Sequence, residues 1–125
     1  MTTAVDVSIS QDGGVMKTRV NRGEGEVTPD YGSEVTVHYT GTLTDGTQFD
    51  SSRGRGEFTF TLGEGQVIKG WDEGVKTMKK NERAKFTLAP EYAYGENGSP
   101  PKIGQNQTLI FDIELLRWDL GSFLF

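Results

Sequence analysis

The stretch that most narrows what this chain can become is Val67–Met78, VIKGWDEGVKTM. Val67, Ile68, Trp71, Val75 and Met78 recur at helical spacing and mark a single apolar stripe over about three turns. Asp72, Glu73, Lys76 and Thr77 fall on the other side, so the pattern predicts one face on a core and one in water. Gly70 and Gly74 lie one turn apart. Each costs a helix roughly 1 kcal/mol relative to Ala, so a short helix pressed closely against something flat is expected.

The flat partner is legible on both sides of that stretch. Val35, Val37 and Tyr39 alternate with Thr36, His38 and Thr40, which is the period of a half-buried strand. TDGT at 44–47 supplies the Asp-Gly pair a tight hairpin requires, and a short strand, Gln48–Asp50, is expected to run back beside the first. Phe58, Phe60 and Leu62 alternate again, as do Ala84, Phe86 and Leu88 in Arg83–Leu88. Thr108–Trp118 places Leu109, Phe111, Ile113 and Leu115 on one face, and Val15–Val20 is a weaker first strand followed by a loop over Asn21–Gly32. The pattern predicts an α+β fold, a curved antiparallel β-sheet of five to six strands wrapped around one short α-helix. Residues 1–14, polar and ending in DGG, are expected to form a flexible N-terminal arm, 15–118 the domain, and 119–125 a C-terminal tail or the start of a linker.

Composition excludes several kinds of chemistry. A net charge of −5 argues against a general nucleic-acid surface, which needs a basic footprint. The run Lys76, Lys79, Lys80, Arg83 and Lys85 is interrupted by Glu82 and reads as a solvated turn. With no cysteine there is no thiol nucleophile and no thiolate metal site. A single histidine, His38, builds no histidine-based metal site. It falls on the face opposite Tyr39, no Ser, Cys or Asp partner is evident beside it, and it is read as structural. The first residues lack a basic region and a long apolar run, and no stretch approaches the roughly 20 apolar residues of a membrane span. A cytoplasmic protein, with the nucleus also open to it, is expected, with no cofactor. One segment departs from the strand-and-turn pattern: Ala89–Gln107, holding Pro90, Pro100, Pro101, Tyr92 and Tyr94. A loop of that length in a small domain is usually functional.

Taken together, VHYTGTLTDGTQFDSSRGRG (37–56), FTFTLGEGQVIKGWDEGVKTM (58–78), RAKFTLAPEYAYGENG (83–98) and TLIFDIELL (108–116) resemble the FK506-binding proteins, the FKBP-type peptidyl-prolyl cis-trans isomerases. The match runs over Val15–Trp118, in the family's order. The resemblance implies an isomerase of X–Pro bonds that binds proline-containing peptides and proteins and FK506- and rapamycin-type macrolides, as a monomer. It implies a pocket with Trp71 as the floor and Tyr39, Phe58 and Phe111 as walls. The Ile68 backbone N–H and the Tyr94 hydroxyl would meet ligand carbonyls, and Asp50, held by Arg55, would accept a hydrogen bond from the ligand. Phe49, Val67 and Ile103 would complete the lining. Gln66 matches a position whose backbone carbonyl, rather than its side chain, meets ligand.

Departures from the pattern are local. Between Arg55 and Phe58 the chain is one residue shorter than the small family members. Ser99 stands where these often carry histidine and Lys102 where they often carry isoleucine. GSPPKI (98–103) is similar to the first domain of larger, chaperone-associated members, and LLRWDLGSFLF to the linker after the first domain of plant-type multidomain relatives. One module of a longer protein, with a chaperone partner, is therefore expected. Two other readings stand beside the enzyme: an interaction module that docks a partner or client through loop 96–105 with incidental isomerase activity, and a structural sheet domain with no site.

Overall fold

In the computed structural model, residues 3–119 are described. Strand β3 (Glu34–Leu43) is its spine, with neighbours along both edges. The other strands are β1 (Val5–Asp6), β2 (Val15–Glu24), β4 (Gln48–Ser51), β5 (Phe58–Thr61), β6 (Lys80–Leu88) and β7 (Leu109–Asp119). They form one antiparallel sheet in the order β1-β2-β6-β7-β3-β4, with β5 also paired to β3. The expected α+β architecture is present, but with seven strands rather than five or six. The extra strand is β1. It lies within the segment expected as an arm, where Val5 pairs with Lys17 and Asp6 with Met16. Strand β2 also runs on to Glu24, past the expected end at Val20, through a bulge between Arg19 and Asn21. The tail expected at 120–125 lies outside the described residues.

β4 and β5 occupy the same edge of β3 in sequence. β4 pairs Thr40–Thr42 and β5 pairs Glu34–Val37. The chain between them, residues 52–57, therefore leaves the sheet and returns to it. At that interruption Ser52 still holds Tyr39, its amide donating to the Tyr39 carbonyl at 2.9 Å.

The one α-helix among the described residues, α1 (Lys69–Val75), is shorter than the stripe that marks it. Ile68 is its N-cap in an extended conformation, so Val67 and Ile68 precede the helix as part of the loop. Thr77 closes the far end, its amide and hydroxyl both donating to the Gly74 carbonyl at 3.1 and 2.7 Å. Met78, beyond that turn, still reaches the core with no exposed surface. The two glycines answer to the sheet. A Cβ on Gly70 would stand 2.6 Å from the methyl carbons of Leu88, and one on Gly74 2.9 Å from the Phe86 ring. Without side chains there, the helix axis sits down on β6, and Trp71, Val75, Phe86, Leu88 and Ile113 share one core.

The side of α1 expected in water is not all in water. Glu73 is 7% exposed, and its Oε1 accepts the Ile9 N–H at 2.8 Å. The N-terminal segment covers it. Asp72 turns back instead, accepting the Gly63 and Gly65 amides at 2.8 and 3.1 Å. Glu82, read as part of a solvated turn, is wholly buried and pairs with the buried Lys17 at 2.6 Å. Burial pulls the Lys17 ammonium below its ordinary pKa, against the attraction of Glu82.

Candidate functional site: an aromatic cavity at the head of the helix

Trp71 emerges from the first turn of α1 and is 5% exposed. Four rings surround it. Tyr39 meets it nearly edge-on at 4.9 Å between centroids, Phe111 at 5.3 Å, Phe58 at 5.9 Å and Phe60, more tilted, at 5.7 Å. Edge-to-face contacts of this kind contribute beyond the area they bury, by about 0.5–1.5 kcal/mol each. Trp71 itself is left as one wall of a hollow. This cavity, of about 240 Å³, is lined by Tyr39, Phe49, Asp50, Phe58, Gln66, Val67, Ile68, Trp71, Tyr94 and Phe111. Among the described residues, the buried Trp71 Nε1–H has no hydrogen-bond partner. Buried donors are rarely left so.

Sheet register explains how a carboxylate comes to this apolar site. Phe86, Phe111, Gly41 and Asp50 stand opposite one another across β6, β7, β3 and β4. Directly paired residues share a face, so Asp50 is delivered to the inner side of the sheet. Gly41 makes room in that row. A Cβ there would lie 2.5 Å from Phe49 and 2.8 Å from Phe111.

The Asp50 carboxylate accepts three hydrogen bonds within the protein. Oδ2 accepts the Tyr39 hydroxyl at 2.8 Å, while Oδ1 accepts the Ser51 amide and the Arg55 guanidinium, each at 2.9 Å. Arg55 also donates to the Tyr39 hydroxyl oxygen at 3.2 Å. Arg55 thus holds Asp50 without lining the cavity itself. Burial, then the hydrogen bond to Asp50, push the Tyr39 hydroxyl above its ordinary pKa. Burial, then the nearby Asp50 charge, do the same for Tyr94. Both phenols remain proton donors throughout the neutral range.

Ile103 stands beside the cavity. It lines an adjoining groove of about 310 Å³ with Ser99, Pro100, Pro101 and Lys102, and the groove shares Phe49, Asp50 and Tyr94 with the cavity. Lys102 reaches across to donate to the Phe49 carbonyl at 3.1 Å. Of the twelve site residues expected from the sequence, the structure thus gathers all but Arg55 and Ile103 around one cavity. Those two touch its members.

Several supporting residues escaped the sequence reading. Gln66 does more than offer a backbone carbonyl: its side-chain Oε1 accepts the Thr61 N–H at 2.8 Å and ties the loop before α1 to β5. Asp72 fixes the same loop from the helix side. Together they set the mouth where Val67 and Ile68 lie. The Ile68 N–H makes no hydrogen bond among the described residues. His38 does have a serine partner, contrary to the expectation. Its Nδ1 lies 2.9 Å from Ser52 Oγ, and that hydroxyl also accepts the buried Tyr39 N–H at 2.8 Å. The pair lies behind the sheet edge, where it anchors the departing chain 52–57. No local signal joins residues fourteen apart across a hairpin.

Residues 25–116 match the FKBP-type peptidyl-prolyl cis-trans isomerase family. The chain is 54% identical over 113 residues to FK506-binding protein 59 of Drosophila melanogaster, covering 90% of this chain and 26% of that protein. To FKBP4 of Mus musculus it is 54% identical over 115 residues, 91% of this chain and 25% of that protein. It spans about a quarter of the length of these relatives. To Fkbp12 of Drosophila melanogaster it is 53% identical over 105 residues, 83% of this chain and 97% of that protein. The sequence, the sheet wrapped on one helix and the Trp71 cavity agree, and the chain belongs to the FKBP-type peptidyl-prolyl cis-trans isomerase family.

Proposed function

We propose that this domain catalyses rotation about X–Pro bonds of peptides and proteins in the Trp71 cavity, and that FK506- and rapamycin-type macrolides compete for it. The observation that carries the reading is the cavity lined by Trp71, with Tyr39, Phe58 and Phe111 packed edge-on around the indole and Ile68 and Tyr94 at its wall. A proline ring fits such a cavity.

Amide resonance opposes the rotation with a barrier of roughly 18–20 kcal/mol. The planar imide carries partial charge on its carbonyl oxygen and is well hydrated, whereas the twisted transition state has lost that resonance and is less polar. Moving the imide from water into a cavity of aromatic and aliphatic side chains disfavours the planar form relative to the twisted one. Meanwhile the Ile68 N–H and the Tyr94 hydroxyl hold the flanking carbonyls in place while the bond turns. Asp50, held in place by Arg55 and Tyr39, is a fixed acceptor at the rim. The steps assigned to these residues move no proton and form no covalent bond.

Calorimetric titration with FK506 tests the reading. Saturable binding that abolishes acceleration of X–Pro exchange is expected; no heat and no competition at micromolar ligand would defeat it.

A second reading rests on the loop beside the cavity. Ser99 and Ile103 exchange backbone hydrogen bonds at 2.8 and 3.1 Å, and Lys102 pins the loop to β4. A knob so fixed suits docking of a protein partner, a chaperone or its client, in a longer chain. Substitutions at Lys102 that spare turnover but lose a partner would favour it.

A further inference from the structure

We propose that the N-terminal segment preceding β2 is a clasp that sets the position of Tyr94, with Asp12 as a positioning residue for the site; this rests on the isomerase reading above.

The segment is tightly wound. The Asp6 carboxylate accepts the Ser8 amide and hydroxyl at 2.9 and 2.7 Å and the Gly13 amide at 2.8 Å. Ser8, 1% exposed, in turn accepts the Asp12 amide at 3.2 Å. This turn presents Asp12 to a residue far along the chain. Its Oδ2 accepts the Tyr92 hydroxyl at 2.7 Å, while Oδ1 accepts the Gly14 amide at 2.9 Å.

Tyr92 is seated as well as bonded. Its ring lies against Gly14 so closely that a Cβ there would fall 2.0 Å from a ring carbon. The Ala89 amide donates to the Gly14 carbonyl at 2.9 Å, and Lys69 from α1 covers the ring, its Nζ 4.7 Å from the centroid. Neighbouring Glu73 accepts the Ile9 amide. One short segment therefore touches both elements that furnish the proposed donors: α1, entered at Ile68, and the turn that ends at Tyr94.

That turn is rigid between the two tyrosines. Pro90–Tyr92 is a single 3₁₀ turn, and the Ala93 and Gly95 amides both donate to the Pro90 carbonyl, at 3.0 and 2.9 Å. Tyr92 points into the protein, 3% exposed, and Tyr94 into the cavity, 39% exposed. With so short and bonded a connection, a shift of the Tyr92 ring swings the Tyr94 hydroxyl. Near-attack geometry tolerates little such displacement.

The test is a mutant cycle in a protease-free X–Pro exchange assay on a proline tetrapeptide. Asp12→Ala and Tyr92→Phe are each expected to lower kcat/KM by about three- to tenfold, the scale of one hydrogen bond. Asp12→Asn, whose amide can still meet both Gly14 and Tyr92, is expected to stay within about twofold of the parent. In a Tyr94→Phe background, Asp12→Ala should cost nothing further. Amide exchange at Ala93 and Gly95 should quicken in Asp12→Ala while β6 and β7 stay protected.

Folded Asp12→Ala and Tyr92→Phe proteins with parental kcat/KM would overturn the proposal. So would a loss that persists undiminished in the Tyr94→Phe background, which would indicate general loosening. An inactive parent would instead defeat the isomerase reading. Amide exchange then decides the clasp alone, and unchanged rates at Ala93 and Gly95 would end it.

Discussion

Ser52 is the residue whose importance the structure changes most. It is 2% exposed, and its hydroxyl accepts the Tyr39 N–H while meeting His38. Ser52→Ala would leave a buried amide without that acceptor, at a cost of about 1–3 kcal/mol. We predict a fall in stability of that size, read by urea denaturation. His38→Gln should leave the isomerase rate within about threefold, because the residue touches no cavity atom and Ser52 keeps Tyr39 satisfied. In the cavity, Tyr94→Phe removes one neutral hydrogen bond, worth about 0.5–1.5 kcal/mol, so kcat/KM should fall by about tenfold or less. A loss far beyond that would give the hydroxyl a part in chemistry. The asymmetry between legible and hidden residues is physical. Trp71, Tyr39 and Phe111 announce themselves by period, and the family resemblance assigns them, whereas Ser52 and Gly41 act through partners brought in by strand pairing and Gln66 through a loop contact to Thr61.

At the scale of elements, α1 shows what periodicity can and cannot carry. The stripe found the helix and its buried face, and the two glycines foretold a flat neighbour, which is β6. It did not foretell that Glu73 would be buried, because a helical wheel treats the second face as solvent unless another segment is known to cover it. That segment is the N-terminal stretch, too polar to read as a strand, in which Val5 and Asp6 pair with β2. Two predictions belong here. Gly74→Ala should gain up to about 1 kcal/mol in helix propensity, yet lose about 1–3 kcal/mol by forcing α1 off Phe86. We expect net destabilisation in thermal unfolding; a more stable variant would show that the helix has room. The second concerns acid. Hydrogen bonds from Ser8 hold the Asp6 carboxyl below its ordinary pKa, and the Tyr92 hydroxyl does the same for Asp12. A lowered folded-state value contributes stability that is present above the ordinary 3.8 and is lost as pH falls through the folded values. The N-terminal segment should therefore loosen below about pH 4, seen as faster amide exchange at Gly13 and Gly14. Protection that persists to pH 2 would contradict it.

Across the whole molecule, one antiparallel sheet does two jobs. Its middle buries α1, and near its interrupted edge, where β4 ends and β5 has not yet begun, Tyr39, Asp50 and Phe58 line the cavity beside Trp71. The fold class followed from alternating strands around a lone amphipathic stretch; the strand count did not, because a two-residue strand has no period to detect. The central claim is that this cavity speeds X–Pro rotation by removing water and holding carbonyls, with no titrating group in the step. The direct measurement is exchange spectroscopy by NMR on a proline tetrapeptide, with and without the protein, from pH 6 to 9. The uncatalysed reaction takes tens to hundreds of seconds. The account predicts strong acceleration that is level across this range, since Tyr39 and Tyr94 both hold their protons above it. No acceleration, or a step of the kind a histidine imposes between about pH 5 and 8, would contradict it.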